Sequence, residues 1–298
     1  MTLEYTPGVR YRMPTVFGPA PGPRQKADGT PWSAAEAGTM NAHWMTVAYR
    51  SERIALEALL PPGFSLRGEP VVHVSLAFFR NLYWLAGRGY GILKVDLPVT
   101  YAGKSEIIDG AFCPAIWEGM PDAIMTGREE LGFPKLFADI PELSLDMDEG
   151  RAGGEASWLD FKFIELALQG LEPADTLGNT RLPGPGGADL FFKYMPRTGP
   201  SGSGGTDLAY VTTSAPLPGA EKTVSPIDFG GTDFRRWTGT GGNVKWHRAS
   251  FEQLPTTFHI VNGLAALPMR EVVNVELIQF SGPGLAVSAN ALRPVQAA

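Results

Sequence analysis

The sequence predicts a mainly β protein: a largely antiparallel sheet folded around a central cavity, with a few short helices. Three observations carry that reading. Short runs of β-branched and aromatic residues recur along the chain, as in Val71–Phe79 and Tyr90–Thr100. Turn-forming residues separate them, and 36 glycines and 26 prolines are many for a helical protein of 298 residues. Only Leu254–Pro268 has the length and spacing of a long helix. No period of about 20–50 residues is present, which excludes a solenoid or propeller.

Residues 1–41 read as an irregular arm. Between Pro14 and Pro31 the prolines remove backbone donors and fix φ, so regular pairing is not expected. A first strand covers Trp44–Arg50, and Ser51 then reads as the N-cap of a helix ending at Leu60, before Pro61-Pro62-Gly63. Further strands are expected at Val71–Phe79, Tyr90–Thr100 and Glu106–Trp117, with Pro98 marking an edge or a bulge. Asp122–Leu131 reads as a short helix broken at Gly132-Phe133-Pro134. Residues 135–148 read as one strand, Asp148–Gly154 as a hairpin turn, and Glu155–Leu166 as the return strand. Asp189–Tyr194 and Leu208–Thr213 flank a Gly/Ser-rich stretch, Pro196–Thr206, which fits a long hairpin loop better than a domain linker. Gly241–His247 is a strand. In the helix 254–268, apolar residues recur at 258, 261, 264 and 265 with almost no charge, which implies burial on most sides; Pro255 suits its first turn and Pro268 its end. Val272–Phe280 is the last strand, and 286–298 a tail, which leaves one domain over 42–285.

The net charge is −6, with 25 basic and 31 acidic residues and no recurring basic run, so a nucleic-acid partner is not expected. No apolar stretch reaches the roughly 18–20 residues that cross a bilayer. The start lacks the basic and apolar regions of a secretory signal, and Cys113 is the single cysteine, which fits a cytoplasmic protein. The four histidines show no metal-ligand spacing, and no Gly-rich phosphate loop is present, so no metal or cofactor is expected.

The chemistry concentrates in Thr126–Phe137. A charged cluster, Arg128-Glu129-Glu130, precedes Gly132-Phe133-Pro134, and then Lys135 stands between Pro134 and Leu136 with Phe133 and Phe137 beyond. A lysine held among apolar groups favours its neutral form, and a neutral lysine adds to ketones to give a Schiff base. The bland alternative is a surface or salt-bridged lysine.

At Gly127–Lys135 the chain resembles the acetoacetate decarboxylase family, whose enzyme is itself the standard example of a lysine activated by desolvation or a cationic neighbour. Ser250–Pro268 and Val47-Ala48-Tyr49-Arg50 support the resemblance, in the family's order, over about residues 44 to 282. The resemblance implies an antiparallel β cone or barrel around an apolar cavity, assembled as a homo-oligomer built from dimers. It makes Lys135 the Schiff-base lysine and Arg50 the arginine that places the substrate; the alternative for Arg50 is an ion pair with Glu52, Glu129 or Glu130. Glu129 and Glu130 are candidate substrate-side carboxylates, otherwise fixing the loop with Arg128, and Glu118 is a weaker proton-carrier candidate. Phe78, with Phe79, Tyr83 and Trp84, is expected in the cavity wall or core. Phe258 stands where many members have a tyrosine, so Tyr90 or Tyr49 would substitute. His259 and Cys113 read as core residues.

Three departures set the expected function. Leu136 replaces the second lysine that decarboxylases of the family carry, and matching the strands puts the family's two cavity glutamates at Ala77 and Ile92. The expectation is therefore a Schiff-base lyase acting on small oxo acids through Lys135, by condensation of a 2-oxo acid with an aldehyde and dehydration rather than plain decarboxylation. A 3-oxo acid decarboxylase and a non-catalytic binding protein that keeps the cavity are the alternatives.

Overall fold

The computed structural model describes residues 4–174, 184–217, 233–283 and 292–295. Helix α1 (Ala34–Ala37) leads into β1 (Thr39–Arg50), and α2 (Arg53–Glu57) follows. Then come β2 (Phe64–Leu66), β3 (Val71–Leu82), β4 (Arg88–Ala102), β5 (Ile107–Glu118), α3 (Pro121–Thr126) and a π-helical turn (Gly127–Leu131). The middle of the chain supplies β6 (Lys135–Phe137), β7 (Ser144–Asp146), β8 (Arg151–Trp158), β9 (Phe161–Gln169) and β10 (Glu172–Ala174). The remainder supplies β11 (Ala188–Pro196), β12 (Thr206–Thr213), β13 (Asp233–Thr238), β14 (Gly241–Trp246), α4 (Phe258–Ala265), β15 (Val272–Pro283) and β16 (Arg293–Val295).

The mainly β class with few short helices is as expected. One sheet runs β10-β13-β15-β1-β3-β4-β5-β11-β12-β16, with β2 on β4 and β6 on β5. It is mixed rather than wholly antiparallel, because β11 and β6 both pair with β5 in parallel. Its end strands, β10 and β16, are not paired with each other among the described residues. A second sheet, β14-β9-β8-β7, is antiparallel.

Side chains alternate across a strand, so the large sheet has two inner surfaces. Met45, Leu76, Leu93 and Trp117 belong to the main core with Phe163, Ile164 and Leu166 of β9. Trp44, Ala77, Phe79, Tyr90 and Ile92 belong to a separate cluster on the opposite face. The first face closes a two-sheet core; the second bounds the cavity.

Several boundaries differ from the sequence reading. The strand expected over 135–148 is two, Lys135–Phe137 in the large sheet and Ser144–Asp146 in the small one. Pro141 between them has no N–H and disfavours continuation. The return strand expected over Glu155–Leu166 is also two, divided at Leu159, which adopts φ 51°. The preceding turn falls at 147–150, on Gly150 with φ 59°. Helix α2 is shorter than 51–60, and its N-cap is Glu52 without a side-chain cap bond. Helix α4 is shorter than 254–268 and buries one face only, through Val261 and Leu264, leaving His259 exposed rather than in the core. The 196–206 stretch joins β11 and β12 as a hairpin, as expected. No helix of the described residues is long and apolar enough to cross a membrane.

Candidate active site

Register places the site. Residues paired across neighbouring strands share a face. One row runs Trp44, Ala77, Ile92, Glu118 across β1, β3, β4 and β5. The next runs Thr46, Ser75, Lys94, Ile116, Lys135, ending on β6. A third brings Phe79 beside Tyr90. Trp44, Phe79, Tyr90, Ile92, Lys94, Ile116, Glu118 and Lys135 all line a cavity of about 120 Å³. Phe133, Phe191 and Trp84 complete much of its apolar wall.

Lys135 is 6% exposed. Its Nζ lies 2.8 Å from Glu118 Oε1, donates to the Ala123 carbonyl at 3.1 Å, and sits 5.1 Å from the Phe133 ring centroid. Local chain geometry fixes this pose. Pro121 opens α3 at its first turn, and Gly132 in the left-handed region at φ 82° ends the π-helical turn. Arg128 Nη1 then donates to the Lys135 carbonyl at 2.8 Å. Gly127 makes room: a Cβ there would stand 2.4 Å from both Cδ and Cε of Lys135.

Glu118 is 1% exposed, and its Oε2 has no hydrogen-bond partner. Burial pushes its carboxyl above the usual range, against the opposing pull of Lys135. The 2.8 Å contact puts this carboxylate within proton-transfer distance of the Lys135 nitrogen. Burial holds the Tyr90 phenol well above its ordinary value, and the Glu118 charge adds to that. Tyr90 is therefore a hydroxyl donor on this wall.

A second lysine shares the cavity. Lys94 Nζ lies 3.1 Å from Asp96 Oδ1 and 3.1 Å from Asp189 Oδ1. The Asp189 contact is an aligned hydrogen bond; the Asp96 contact is an ion pair that leaves Asp96 Oδ1 without one. Burial alone would lower the Lys94 pKa, but the two carboxylates raise it above the ordinary lysine value. Asp96 itself is pushed up to about 6 by burial, partly offset by Lys94. The strand pattern held a signal for this group: Lys94 and Asp96 alternate with Leu93, Val95 and Leu97, two charges on one face of a buried strand. Asp189 had none, since it arrives through the parallel pairing of β11 with β5.

Of the residues expected at the site, Lys135 and Tyr90 are on the wall, and so is Glu118. Arg50 is not. It lies four residues beyond the Thr46 row, about 13 Å along the strand, and pairs with Glu271 and Glu69 while 42% exposed. Phe78 points to the face opposite Phe79 and packs under Arg80. Phe258, on α4, packs on the main core rather than the cavity. Tyr49 is likewise in the main core, its pKa pushed up to about 12 by burial. Glu129 contributes its carbonyl to Lys193 and is absent from the wall. Glu130 anchors the N-terminal arm: Arg24 and Arg12 pair with it, and Arg10 approaches to 3.8 Å. Arg12 also donates to Thr126 Oγ1 at 2.6 Å, and Tyr83 Oη to the Pro23 carbonyl at 2.6 Å, which brings Pro23 onto the cavity wall. Leu136 pairs with Trp117 and packs on the main core, so the position after Lys135 faces away from the cavity.

The fold and the buried lysine–carboxylate pair define a β protein with a largely apolar pocket that holds a lysine and a carboxylate in contact. The acetoacetate decarboxylase (ADC) family model matches residues 19–281, and the chain belongs to that family. The match takes in part of the proline-rich arm, beyond the 44–282 expected. Acetoacetate decarboxylase from Clostridium botulinum (strain Eklund 17B / Type B) is 26% identical over 134 residues, 43% of this chain and 52% of that protein, so the chain spans about half the length of this relative. Acetoacetate decarboxylase from Legionella pneumophila is a structural neighbour at TM-score 0.56 and 19% identity, covering 83% of this chain and 85% of that one. The enduracididine biosynthesis enzyme MppR complexed with pyruvate gives 0.57 and 16%, covering 82% and 86%. An acetoacetate decarboxylase-like enzyme from Sphingomonas wittichii RW1 gives 0.55 and 18%, covering 83% and 90%.

Proposed function

We propose that this protein is an imine-forming lyase in which Lys135 is the nucleophile and Glu118 its proton partner. The 2.8 Å contact between Lys135 Nζ and Glu118 Oε1 inside an apolar cavity carries the reading. Glu118 takes the ammonium proton, and the free amine adds to the substrate carbonyl carbon. Glu118 returns that proton to the carbinolamine hydroxyl, which leaves as water and gives the iminium. The Glu118 carboxylate, restored beside that cation, removes a proton from the carbon next to the former carbonyl, giving an enamine. The enamine carbon attacks an aldehyde, whose oxygen receives the proton that Glu118 removed; Tyr90 is the hydroxyl on the wall suited to pass it on, taking Glu118's proton as it gives up its own. Loss of water and hydrolysis of the imine release an unsaturated product and free Lys135.

A base beside the nitrogen favours this condensation branch over decarboxylation, which needs no proton removed to reach the enamine. MppR has been seen with pyruvate and with the condensation product of pyruvate and imidazole 4-carboxaldehyde, which supports the condensation branch as the reaction type to test. Family membership also supports a homo-oligomer built from dimers, a single domain behind the arm, and work in the cytoplasm, the assembly being checked by light scattering.

The test is exchange of donor α-protons for deuterium in D2O, followed by NMR with pyruvate and with simple ketones. Exchange should occur in the wild type, vanish in Lys135→Ala and slow by about 10²–10⁴-fold in Glu118→Gln. Absence of exchange from every donor, with ligands still bound, would leave a binding protein that kept the cavity. Release of carbon dioxide from acetoacetate without exchange would favour the decarboxylase.

A further inference from the structure

We propose that the carbonyl compound which reaches Lys135 carries no carboxylate, and is instead an uncharged ketone or aldehyde with an aromatic or extended apolar side. This deepens the imine-forming reading, rests on it, and departs from the oxo-acid expectation drawn from sequence.

The charges on the wall lead there. Among the described residues, the cations lining the cavity are Lys135 and Lys94. Lys135 faces Glu118 at 2.8 Å. Lys94 faces Asp96 and Asp189, each at 3.1 Å. Two ammonium groups thus meet three carboxylates, and no positive charge is left over for a substrate anion. Among the described residues no arginine lies on the wall. Arg50 is engaged outside with Glu69 and Glu271, Arg128 holds the Lys135 carbonyl, and Arg10, Arg12 and Arg24 converge on Glu130. A carboxylate brought into such a pocket would be desolvated without a free cation and set among like charges.

The unpartnered polar atoms agree. Glu118 Oε2 is a buried acceptor on the wall without a donor. It would oppose a substrate carboxylate and suit a group that donates a hydrogen bond. The unpartnered donor on the wall is Trp84 Nε1, a neutral N–H that suits a carbonyl or ether oxygen. The remaining surface is apolar, with Trp44, Phe79, Ile92, Phe133 and Phe191 around the lysine. With an uncharged substrate, the cavity's charge is the same before and after imine formation, because the iminium replaces the ammonium opposite Glu118.

The experiment compares matched probes: benzylacetone as the uncharged aromatic ketone, phenylpyruvate as an aromatic oxo acid, and pyruvate and acetoacetate as small ones. Binding is read from quenching of tryptophan fluorescence, for which Trp44 and Trp84 lie on the wall. Imine formation is read separately as adduct mass after borohydride. Benzylacetone should bind at least about tenfold more tightly than phenylpyruvate at neutral pH, and form adduct faster. Asp189→Asn, which leaves Lys94 with one anion, should narrow that gap by strengthening phenylpyruvate binding. Equal or tighter binding of phenylpyruvate or pyruvate by the wild type overturns the inference, even if adducts form and the imine reading stands. Preferential binding of benzylacetone without any adduct supports the charge argument while sinking the imine reading. Binding of no probe of either kind overturns the inference as well.

Discussion

Lys135 and Lys94 stand in one register row, on either side of Ile116, with backbones about 10 Å apart across two strand spacings. Both are buried and both line the cavity. Their surroundings differ in one respect: Lys135 has a single carboxylate partner, whose own pKa burial has raised, while Lys94 has two carboxylates that together hold its proton. Burial makes the Glu118 carboxylate a readier proton acceptor than an ordinary one, and it is the single carboxylate that Lys135 faces. Two partners lock Lys94 as a cation. Burial alone therefore does not set a lysine's protonation; the number and charge of its partners also count.

The contrast can be broken at each point. Glu118→Gln removes the proton acceptor but keeps the shape; turnover should fall by about 10²–10⁴-fold, measured as donor exchange, while ligand binding persists. Lys94→Met should cost stability rather than chemistry. It leaves Asp96 and Asp189 without their cation, a loss of about 3 kcal/mol, at the low end because Asp189 is partly exposed; denaturant unfolding measures it, and Lys135 should still form adduct. Gly127→Ala should act in the opposite way. The new Cβ pushes on the Lys135 stem, so exchange falls by about 10- to 100-fold while the melting temperature moves little, since φ at Gly127 is −65° and suits any residue. The smallest effect is on pH dependence. Asp96 has a folded pKa of about 6, above its unfolded value, so the native state holds its proton longer. Stability from this group is present at low pH and declines as pH rises toward and through about 6. Asp96→Asn should flatten that part of the stability–pH curve.

Much of the site was legible from sequence where it was local. The run Gly132-Phe133-Pro134 before Lys135 names the lysine because turn, break and apolar neighbours are contiguous. Tyr90 is singled out, with Tyr49, as a substitute for the tyrosine that many family members have at the Phe258 position. What sequence order does not encode is which face of a strand meets the cavity and where along it the cavity lies. Phe78 and Phe79 are adjacent and opposite, and Arg50 is on the right strand but at the wrong end. Glu130 read as a substrate-side carboxylate because its partners come from more than 100 residues away, in an arm that looked irregular. Ala77 and Ile92 do fall in the cavity-facing row, and Glu118 is the carboxylate that row retains, one strand further on.

The most direct test of the central claim is site mapping after borohydride reduction. Wild-type protein and Lys94→Met are reduced with benzylacetone and with pyruvate, digested, and each lysine adduct assigned by mass spectrometry. The account predicts an adduct on Lys135 in both proteins, none on Lys94, and none at either site in Lys135→Ala. An adduct on Lys94, or an unmodified Lys135 in protein that binds the probe, would contradict it.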